Sequence, residues 1–287
     1  MCRKSSYLVC FVLVLGLVLM STAEADLVGW WKFDEGSGNT ASDASGNGNN
    51  GTLQGGPTWV VGRIGGALRL DGTDDYVQVP HADILTVDDE VTVMAWIYAE
   101  RYIGPTGDDW QGILSKGSSP SRSYNFYTEV SGALHFSVGG YGPLSTTQVP
   151  LNEWVHVCAM VVDGQIGFYI NGEPAGLSGS GVTPPGAADT ANVVIGRTDE
   201  GTSRSFLGMI DDVRIYNEAL SQEEVQRAML GEGQPYAINP TPPDGTIHEA
   251  TWANCRWRAG DSAEALSDQR QGDPARHHGA QCDSPRG

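Results

Sequence analysis

The fold is decided by one stretch in the second half of the chain, Phe206-Leu207-Gly208-Met209-Ile210-Asp211-Asp212-Val213-Arg214-Ile215-Tyr216-Asn217-Glu218-Ala219-Leu220-Ser221. Residues 208–216 predict a β-strand that ends in polar residues. Ser221 predicts the N-cap of a short helix, because Glu224 completes a capping box and Gly231 stands where a helix would end. We therefore expect the domain to close near Glu232 with a strand and one short helix.

A second stretch predicts two short strands joined by a turn of Gly, Thr and Asp: Gly66-Ala67-Leu68-Arg69-Leu70-Asp71-Gly72-Thr73-Asp74-Asp75-Tyr76-Val77. Between the two, short apolar runs alternate with turn residues. The pairs Asp163-Gly164 and Asn171-Gly172 predict hairpins, because these residues tolerate positive φ. The other predicted strands are 27–33, 68–70, 76–79, 91–99, 112–116, 123–129, 133–138, 153–163, 165–170 and 192–196.

The composition indicates one all-β domain. The chain has 287 residues, of which 40% are hydrophobic, 38 are Gly and 15 are Pro. This describes many short segments joined by tight turns. The segment from Asp34 to Gly51 is an unusually long loop, and such loops are functional or ordered by something bound.

Residues 1–25 predict a secretory signal peptide. Arg3 and Lys4 precede an apolar run from Tyr7 to Met20, and Ala23-Glu24-Ala25 provides a cleavage site before Asp26. The run is shorter than the ~20 residues that span a bilayer, which disfavours a membrane anchor. We expect a secreted, extracellular or cell-surface protein that does not insert into membranes after cleavage.

The charge restricts the partners. The formal net charge is −18, and loss of Arg3, Lys4 and Glu24 with the signal would make it −19. Such a field repels nucleic acid and anionic lipid and favours cations and neutral ligands. The alternative is that it only keeps the protein soluble. Three cysteines, Cys158, Cys255 and Cys282, would remain, an odd number that implies no disulfide framework.

The chain after the domain has a different character. We predict the domain at residues 26–232, a Pro-rich linker at 233–250, and at 251–287 an incomplete second β-domain or a disordered tail. A frameshifted or truncated reading frame would explain such a tail.

Six blocks of the sequence resemble, in order, the LamG-like family of concanavalin A-like jelly rolls. The resemblance extends from Leu27 to Leu230 and implies an all-β, two-sheet antiparallel jelly-roll β-sandwich with one short C-terminal helix. The family consists mostly of binding or accessory modules, so the resemblance implies a secreted module of bacterial type. The blocks are Trp30-Trp31-Lys32-Phe33-Asp34-Glu35-Gly36-Ser37-Gly38 with Asp43-Ala44-Ser45-Gly46-Asn47-Gly48, Leu70-Asp71-Gly72, Thr92-Val93-Met94-Ala95-Trp96-Ile97, Trp154-Val155-His156-Val157, Tyr169-Ile170-Asn171-Gly172-Glu173 and Gly208–Tyr216.

Aspartates at strand ends suggest a structural calcium ion. We predict Asp34, Asp71 and Asp211 as ligands, because the first and last strands of a sandwich often lie side by side. Similar jelly rolls frequently hold one calcium ion on such a rim. The alternative is that these aspartates only form local backbone hydrogen bonds in turns.

Catalysis is not expected. The spacing Glu-x-Asp-x-x-Glu of jelly-roll glycosidases is absent, and Asp211 and Asp212 would point to opposite faces of a regular strand. His135 and His156 have no adjacent nucleophile, and no His/Cys spacing fits zinc.

Aromatic residues in loops favour carbohydrate recognition. Tyr102, Trp110 and Tyr141 are the predicted ligand-binding residues, because sugar rings stack on aromatic faces, with Arg122 and Asn125 as polar candidates. The expected partner is an extracellular glycan. Two alternatives remain open, a protein-protein adhesion module and an accessory domain of a truncated secreted hydrolase.

Overall fold

The structure is a computed structural model that describes residues 26–86, 89–107, 110–118, 122–140, 142–178, 190–198 and 202–231, together with two short strands near the C-terminus. The predicted signal peptide lies outside the described residues, and so does most of the predicted linker and tail. Within the predicted linker and tail, strands β17 and β18 pair with each other in antiparallel fashion (His248–Ala250 and Cys255–Trp257).

The domain itself consists of sixteen described strands and one α-helix, α1 (Gln222–Met229). The strands are β1 Leu27–Trp31, β2 Thr40–Ala41, β3 Gly51–Gln54, β4 Thr58–Val61, β5 Gly66–Asp71, β6 Tyr76–Val79, β7 Val91–Ala99, β8 Trp110–Lys116, β9 Arg122–Glu129, β10 Ala133–Gly139, β11 Leu144–Gln148, β12 Trp154–Val162, β13 Gln165–Ile170, β14 Glu173–Ser178, β15 Val193–Ile195 and β16 Leu207–Tyr216.

These strands form two antiparallel sheets, and the predicted β-sandwich is confirmed. The first sheet has the order β14-β13-β12-β7-β16-β5-β4, with β1 also pairing with β16. The second sheet has the order β11-β10-β9-β8-β15-β6-β3-β2. The main hydrophobic core lies between the sheets and contains large side chains such as Trp31, Phe126 and Phe136.

Strand β7 shows how the two faces of the first sheet differ. Val93, Ala95 and Ile97 point into the main core. Met94, on the opposite face, belongs to a second buried cluster, and Trp96 on that face is 6% exposed. Because side chains alternate along a strand, a strand buried on both faces has no polar stripe.

Helix α1 covers the outer face of the first sheet. Ser221 caps it, and the capping box with Glu224 that the sequence predicted is present. Val225 and Ala228 pack on the second cluster with Trp30 and Met94, and Trp96 Nε1 donates a hydrogen bond to the carbonyl of Met229. The cluster also contains Cys158, a buried free thiol whose pKa is raised by burial.

The two predicted hairpin turns are confirmed. Asp163 and Gly164 have φ of 50° and 69° between β12 and β13, and Asn171 and Gly172 have φ of 52° and 76° between β13 and β14. Both pairs lie in the left-handed region that two-residue hairpins of this kind require.

The loop after β1 is ordered by its own side chains. Asp43 accepts hydrogen bonds from the backbone N–H groups of Trp30, Ser45 and Asn49 at 2.9–3.0 Å. Trp31 Nε1 in turn donates to the carbonyl of Asn49 at 2.8 Å. The partly buried carboxylate of Asp43 therefore holds both sides of the loop, and the short strand β2 lies within it.

A bulge in β16 changes the direction of its paired aspartates. Asp211 is opposite Trp96 and Arg214 is opposite Met94, so β16 has one extra residue, and Asp212 has a φ of 50°. The prediction that Asp211 and Asp212 face opposite sides is wrong, because the bulge lets both approach the outer face of the sheet.

Within the described ranges, no helix is both long and apolar enough to cross a membrane.

Candidate functional site

The outer face of the second sheet carries polar and aromatic side chains. On β10, Leu134 and Phe136 point into the core, so His135 and Ser137 point outward. On β9, His135 is opposite Tyr127, which therefore also points outward. The described part of this face is not covered by a helix, unlike the outer face of the first sheet.

A cleft of about 130 Å³ opens on this face. This volume is smaller than the ~300–1,000 Å³ of pockets that hold drug-sized ligands, so the cleft has room for one small ring of a ligand. The residues that line it are Trp110, Arg122, Tyr127, His135, Ser137 and Arg204.

Three rings form the aromatic part of the cleft. The ring centroids of Trp110 and His135 are 4.6 Å apart, and those of Tyr127 and His135 are 5.5 Å apart. Trp110 also meets Tyr127 at 5.9 Å in an edge arrangement. Tyr127 and His135 are almost fully buried, whereas Trp110 is partly exposed. Packing thus fixes the ring of Trp110 and leaves part of it for a ligand.

The imidazole of His135 is held by polar contacts. Nε2 lies 2.9 Å from the carbonyl of Gly142 and 3.4 Å from the hydroxyl of Ser137. Burial lowers the pKa of His135 to about 4, and the charges of Arg122 and Arg204 also act to lower it. The ring is therefore neutral at neutral pH, and the first of these contacts identifies Nε2–H as the donor to a carbonyl.

The floor of the cleft is built from neighbouring strands. Asn125 Nδ2 donates to the hydroxyl of Tyr127 at 2.8 Å and to the carbonyl of Gly117 at 3.1 Å. On β8, Gly112 is opposite Tyr127, and a Cβ there would overlap the backbone of Arg197. A larger residue at Gly112 would therefore push the β15 side of the face away.

The three predicted ligand-binding aromatics do not lie together at one site. Trp110 lines the cleft, but it does so as the first residue of β8 and not from the predicted loop. Tyr102 instead donates to the carbonyl of Val149 at 2.5 Å and packs over Gly132. Tyr141 lies outside the described residues. Of the two polar candidates, Arg122 lines the cleft, and Asn125 orients Tyr127 from beneath.

Sequence reasoning did not identify Tyr127, His135, Ser137 and Arg204 as site residues. The available signal was the alternation in β9 and β10, where one set of alternate residues is apolar and the other polar or aromatic. Joining the two strands through the short turn after Glu129 would have placed Tyr127 beside His135. Arg204 lies in the turn Thr202–Arg204 and carried no such signal.

Two of the predicted metal ligands lie close to each other. Asp211 Oδ2 accepts hydrogen bonds from the N–H groups of Arg63 and Ile64, both at 2.8 Å. Asp34 Oδ1 accepts from the N–H of Gly66 in the same turn at 2.7 Å. Burial raises the pKa of Asp211 to about 7, and the charges of Asp212 and Asp34 add to the effect.

The third predicted metal ligand, Asp71, is at a different place. It is opposite Leu207 on β16, and Asp211 is four residues further along that strand, or about 13 Å at ~3.3 Å per residue. The structure therefore brings Asp34 close to Asp211 and leaves Asp71 apart.

Asp71 belongs instead to an acidic cluster with Asp74 and Asp75. One carboxylate oxygen of each lies within 4.8 Å of the others, so the cluster could hold a metal ion. Asp75 is 5% exposed, and burial raises its pKa, with the charges of Asp71 and Asp74 acting in the same direction. Hard carboxylate oxygens in a turn are a donor set that fits calcium.

The family model of the concanavalin A-like lectin/glucanases superfamily, laminin G type 3, matches residues 71–226, more than half of the chain. The chain belongs to this superfamily. The matched region runs from the acidic cluster through both sheets to helix α1, and it includes every residue that lines the cleft.

Several solved structures have a similar fold. Domain 4 of AbnA, an extracellular arabinanase from Geobacillus stearothermophilus solved in complex with arabinotriose, is 22% identical; the match covers 71% of this chain and 98% of that one, with a TM-score of 0.57. The binding domain of Paraclostridial Mosquitocidal Protein 1 is 17% identical, over 81% and 63% of the two chains, with a TM-score of 0.58.

Two further similarities cover only part of larger proteins. Trypanosoma rangeli sialidase is 17% identical, with a TM-score of 0.53 over 70% of this chain and 32% of that one. Among curated proteins, adhesion G-protein coupled receptor V1 of Danio rerio is 30% identical over 127 residues, which are 39% of this chain and 2% of the receptor. The chain thus spans a very small part of that relative.

Proposed function

We propose that this chain is a secreted, non-catalytic carbohydrate-binding module whose ligand occupies the cleft around Trp110. The observation that carries the proposal is the partly exposed ring of Trp110, held in place by Tyr127 and His135. The superfamily and the fold similarity to an arabinanase domain solved with arabinotriose support it.

The cleft supplies both kinds of contact that a sugar needs. The exposed part of the Trp110 ring offers an apolar face for the C–H groups of a sugar ring. Ser137 and the two arginines at the cleft, Arg122 and Arg204, offer polar groups for its hydroxyls. Because packing already holds the three rings, little side-chain entropy is lost when the ligand binds.

The cleft offers no described acid for glycoside hydrolysis. The described residues that line it include no carboxylate, whereas hydrolysis of a glycosidic bond needs two. Glu129 is near His135, but its carboxylate accepts hydrogen bonds from the backbone N–H and the hydroxyl of Ser131. The chain would therefore bind a glycan and leave it intact.

Calcium is a second part of the proposal. We place a structural calcium ion at Asp71, Asp74 and Asp75, where a cation would relieve the repulsion between three neighbouring carboxylates. Asp34 and Asp211 form the alternative position, because Asp211 is fully buried and its Oδ1 has no hydrogen-bond partner. In both positions the ion would stabilise loops at the edge of the sandwich.

The binding proposal is tested with the secreted chain on a panel of neutral and acidic polysaccharides, measured by calorimetry. Trp110→Ala removes the ring and is expected to weaken binding by on the order of tenfold or more, since truncation of an aromatic anchor at a binding hot spot costs ~2 kcal/mol or more. Trp154→Ala is the matched control, because Trp154 lies on the first sheet against Tyr98. Unchanged affinity in Trp110→Ala would contradict the proposed site.

A protein-protein adhesion module is the alternative function. The similarity to an adhesion receptor favours it, although the match covers 39% of this chain. Absence of binding to every polysaccharide in the panel would favour this alternative. An accessory role beside a secreted hydrolase is compatible with glycan binding, since the similar domain 4 belongs to an extracellular arabinanase.

A further inference from the structure

The residues that line the cleft are basic, although the whole chain has a net charge of −18 and Glu129 lies opposite Trp110 on β9. Arg122 and Arg204 both line the cleft. Both lie close enough to His135 for their charges to disfavour its protonation. The described lining residues contribute two guanidinium groups and no carboxylate.

A third arginine lies further across the same face. The guanidinium carbon of Arg197 is 3.5 Å from the ring centroid of Tyr76. On β6, Val77 and Val79 are core residues, so Tyr76 points to the outer face with the cleft. Stacking on an aromatic ring holds a guanidinium in one orientation while its terminal nitrogens stay available.

Arg197 is aligned with the cleft across the sheet. Its backbone lies against Gly112 on β8, and Gly112 is opposite Tyr127 of the cleft. Its guanidinium reaches Tyr76 on β6, which is three strand positions from β9, so at ~4.8 Å per strand about 14 Å separates the guanidinium from Tyr127. The backbone of Arg197 occupies the space that a side chain at Gly112 would fill.

Arg197 forms no ion pair with any described carboxylate, and its Nε is buried without a hydrogen-bond partner. This guanidinium is fixed on a ring, and no described residue neutralises it. It is therefore suited to bind an anion that a ligand supplies. The planar fork of a guanidinium matches a carboxylate or a sulfate group.

We infer that the glycan bound by this face is acidic: Arg122 and Arg204 bind an acid group of the sugar at Trp110, and Arg197 binds a second acid group near Tyr76, about 14 Å across the sheet from Tyr127. This inference rests on the proposed carbohydrate-binding function and names its ligand class, saccharides that carry carboxylate or sulfate groups.

The net charge alone predicts a neutral ligand, and the local geometry reverses that expectation. Charges more than a Debye length away, about 8 Å at physiological ionic strength, are largely screened. The three arginines act at contact distance, whereas most acidic residues act from further away. Long polyanions would still meet the acidic surface around the face, so short acidic oligosaccharides are the better ligands at low salt.

The test compares ligands that differ only in charge. Short oligogalacturonates and their methyl esters share one backbone, as do sulfated and unsulfated dextran oligosaccharides, so each pair isolates the acid group and the two pairs distinguish carboxylate from sulfate. We expect the secreted chain to bind at least one acidic member tightly and its neutral partner weakly, as measured by calorimetry at 150 mM salt, about physiological ionic strength.

Variants test which arginines contribute to binding of the acidic member. Arg197→Gln and Arg204→Gln are each expected to weaken binding of the acidic member on the order of tenfold, the loss expected for a charge-assisted hydrogen bond. Arg69→Gln is the control, because Arg69 pairs with Glu100 on the first sheet. Circular dichroism and the melting temperature show whether each variant is folded.

The outcomes separate this inference from the proposed function. Equal binding of acidic and neutral members, with loss only in Trp110→Ala, would overturn the acidic ligand and leave the carbohydrate-binding module in place. An equal loss in Arg69→Gln and Arg197→Gln would also overturn it, because the charge effect would not be local. No binding to any polysaccharide, neutral or acidic, would refute both.

Discussion

Arg214 and Asp212 form a buried ion pair beneath helix α1, with Nη2 and Oδ2 3.0 Å apart and both side chains almost fully enclosed. The indole of Trp30 completes this arrangement, because its ring centroid is 4.2 Å from the guanidinium and its N–H donates to Asp212. The bulge at Asp212 is what turns the carboxylate toward both partners.

We predict that Asp212→Asn lowers the free energy of unfolding by about 3–5 kcal/mol, because it leaves the Arg214 charge buried without its counter-charge. Asn accepts the positive φ of this position, so the backbone is not strained by the change. Urea unfolding measures the effect. Glu100→Gln is the control, since it breaks the exposed pair with Arg69 and should cost less than about 1 kcal/mol. Equal costs in the two variants would contradict the prediction.

We expect the protein to lose stability in mild acid because of the buried histidine His156. Burial lowers its pKa to about 3, and the charge of Arg214 adds to the effect. Between the unfolded-state pKa of about 6.5 and the folded value, the unfolded chain binds more protons, so the free energy of unfolding falls as the pH falls through this window.

The corresponding test compares wild type with His156→Phe, which keeps a ring beside Trp96. From pH 7 to pH 4.5 we expect wild type to lose about 2–3 kcal/mol more than the variant, since each pKa unit corresponds to about 1.4 kcal/mol. Identical pH profiles of wild type and His156→Phe would show that His156 does not titrate in this way.

Calcium is expected to raise the melting temperature relative to chelator, by an amount that grows with concentration, because the ion binds only the folded acidic cluster. Asp74→Asn should abolish the shift if the ion lies at Asp71, Asp74 and Asp75, whereas Asp34→Asn should preserve it. The reverse pattern would move the ion to Asp34 and Asp211. A melting temperature that is the same in millimolar calcium and in chelator would remove calcium from the proposal.

Much of the fold could be predicted from local sequence. The hairpins at Asp163-Gly164 and Asn171-Gly172 and the helix cap at Ser221 depend on chemistry within a few residues. Strands β2, β3, β4 and β11 were missed. They have only two to five residues each, and in strands this short neighbouring strands rather than propensity decide the conformation. The bulge at Asp212 was missed for the same reason, since a positive φ at an aspartate has no local signature in the sequence.

The candidate site was less predictable than the fold. Trp110 could be found as a loop aromatic near a strand. Tyr127 and His135 belong to the site only because the register of β9 and β10 places them side by side. Arg197 and Arg204 reach the same face from other parts of the chain, and that convergence is a property of tertiary structure.

The position of helix α1 limits how many faces of one domain can bind a ligand. The helix occupies the outer face of the first sheet, so the two sides of the sandwich are not equivalent, and the cleft lies on the side that the helix leaves open. One copy would therefore hold a polymer from one side only. Avidity would have to come from several copies on a common carrier, with the spacing between copies setting their effective concentration.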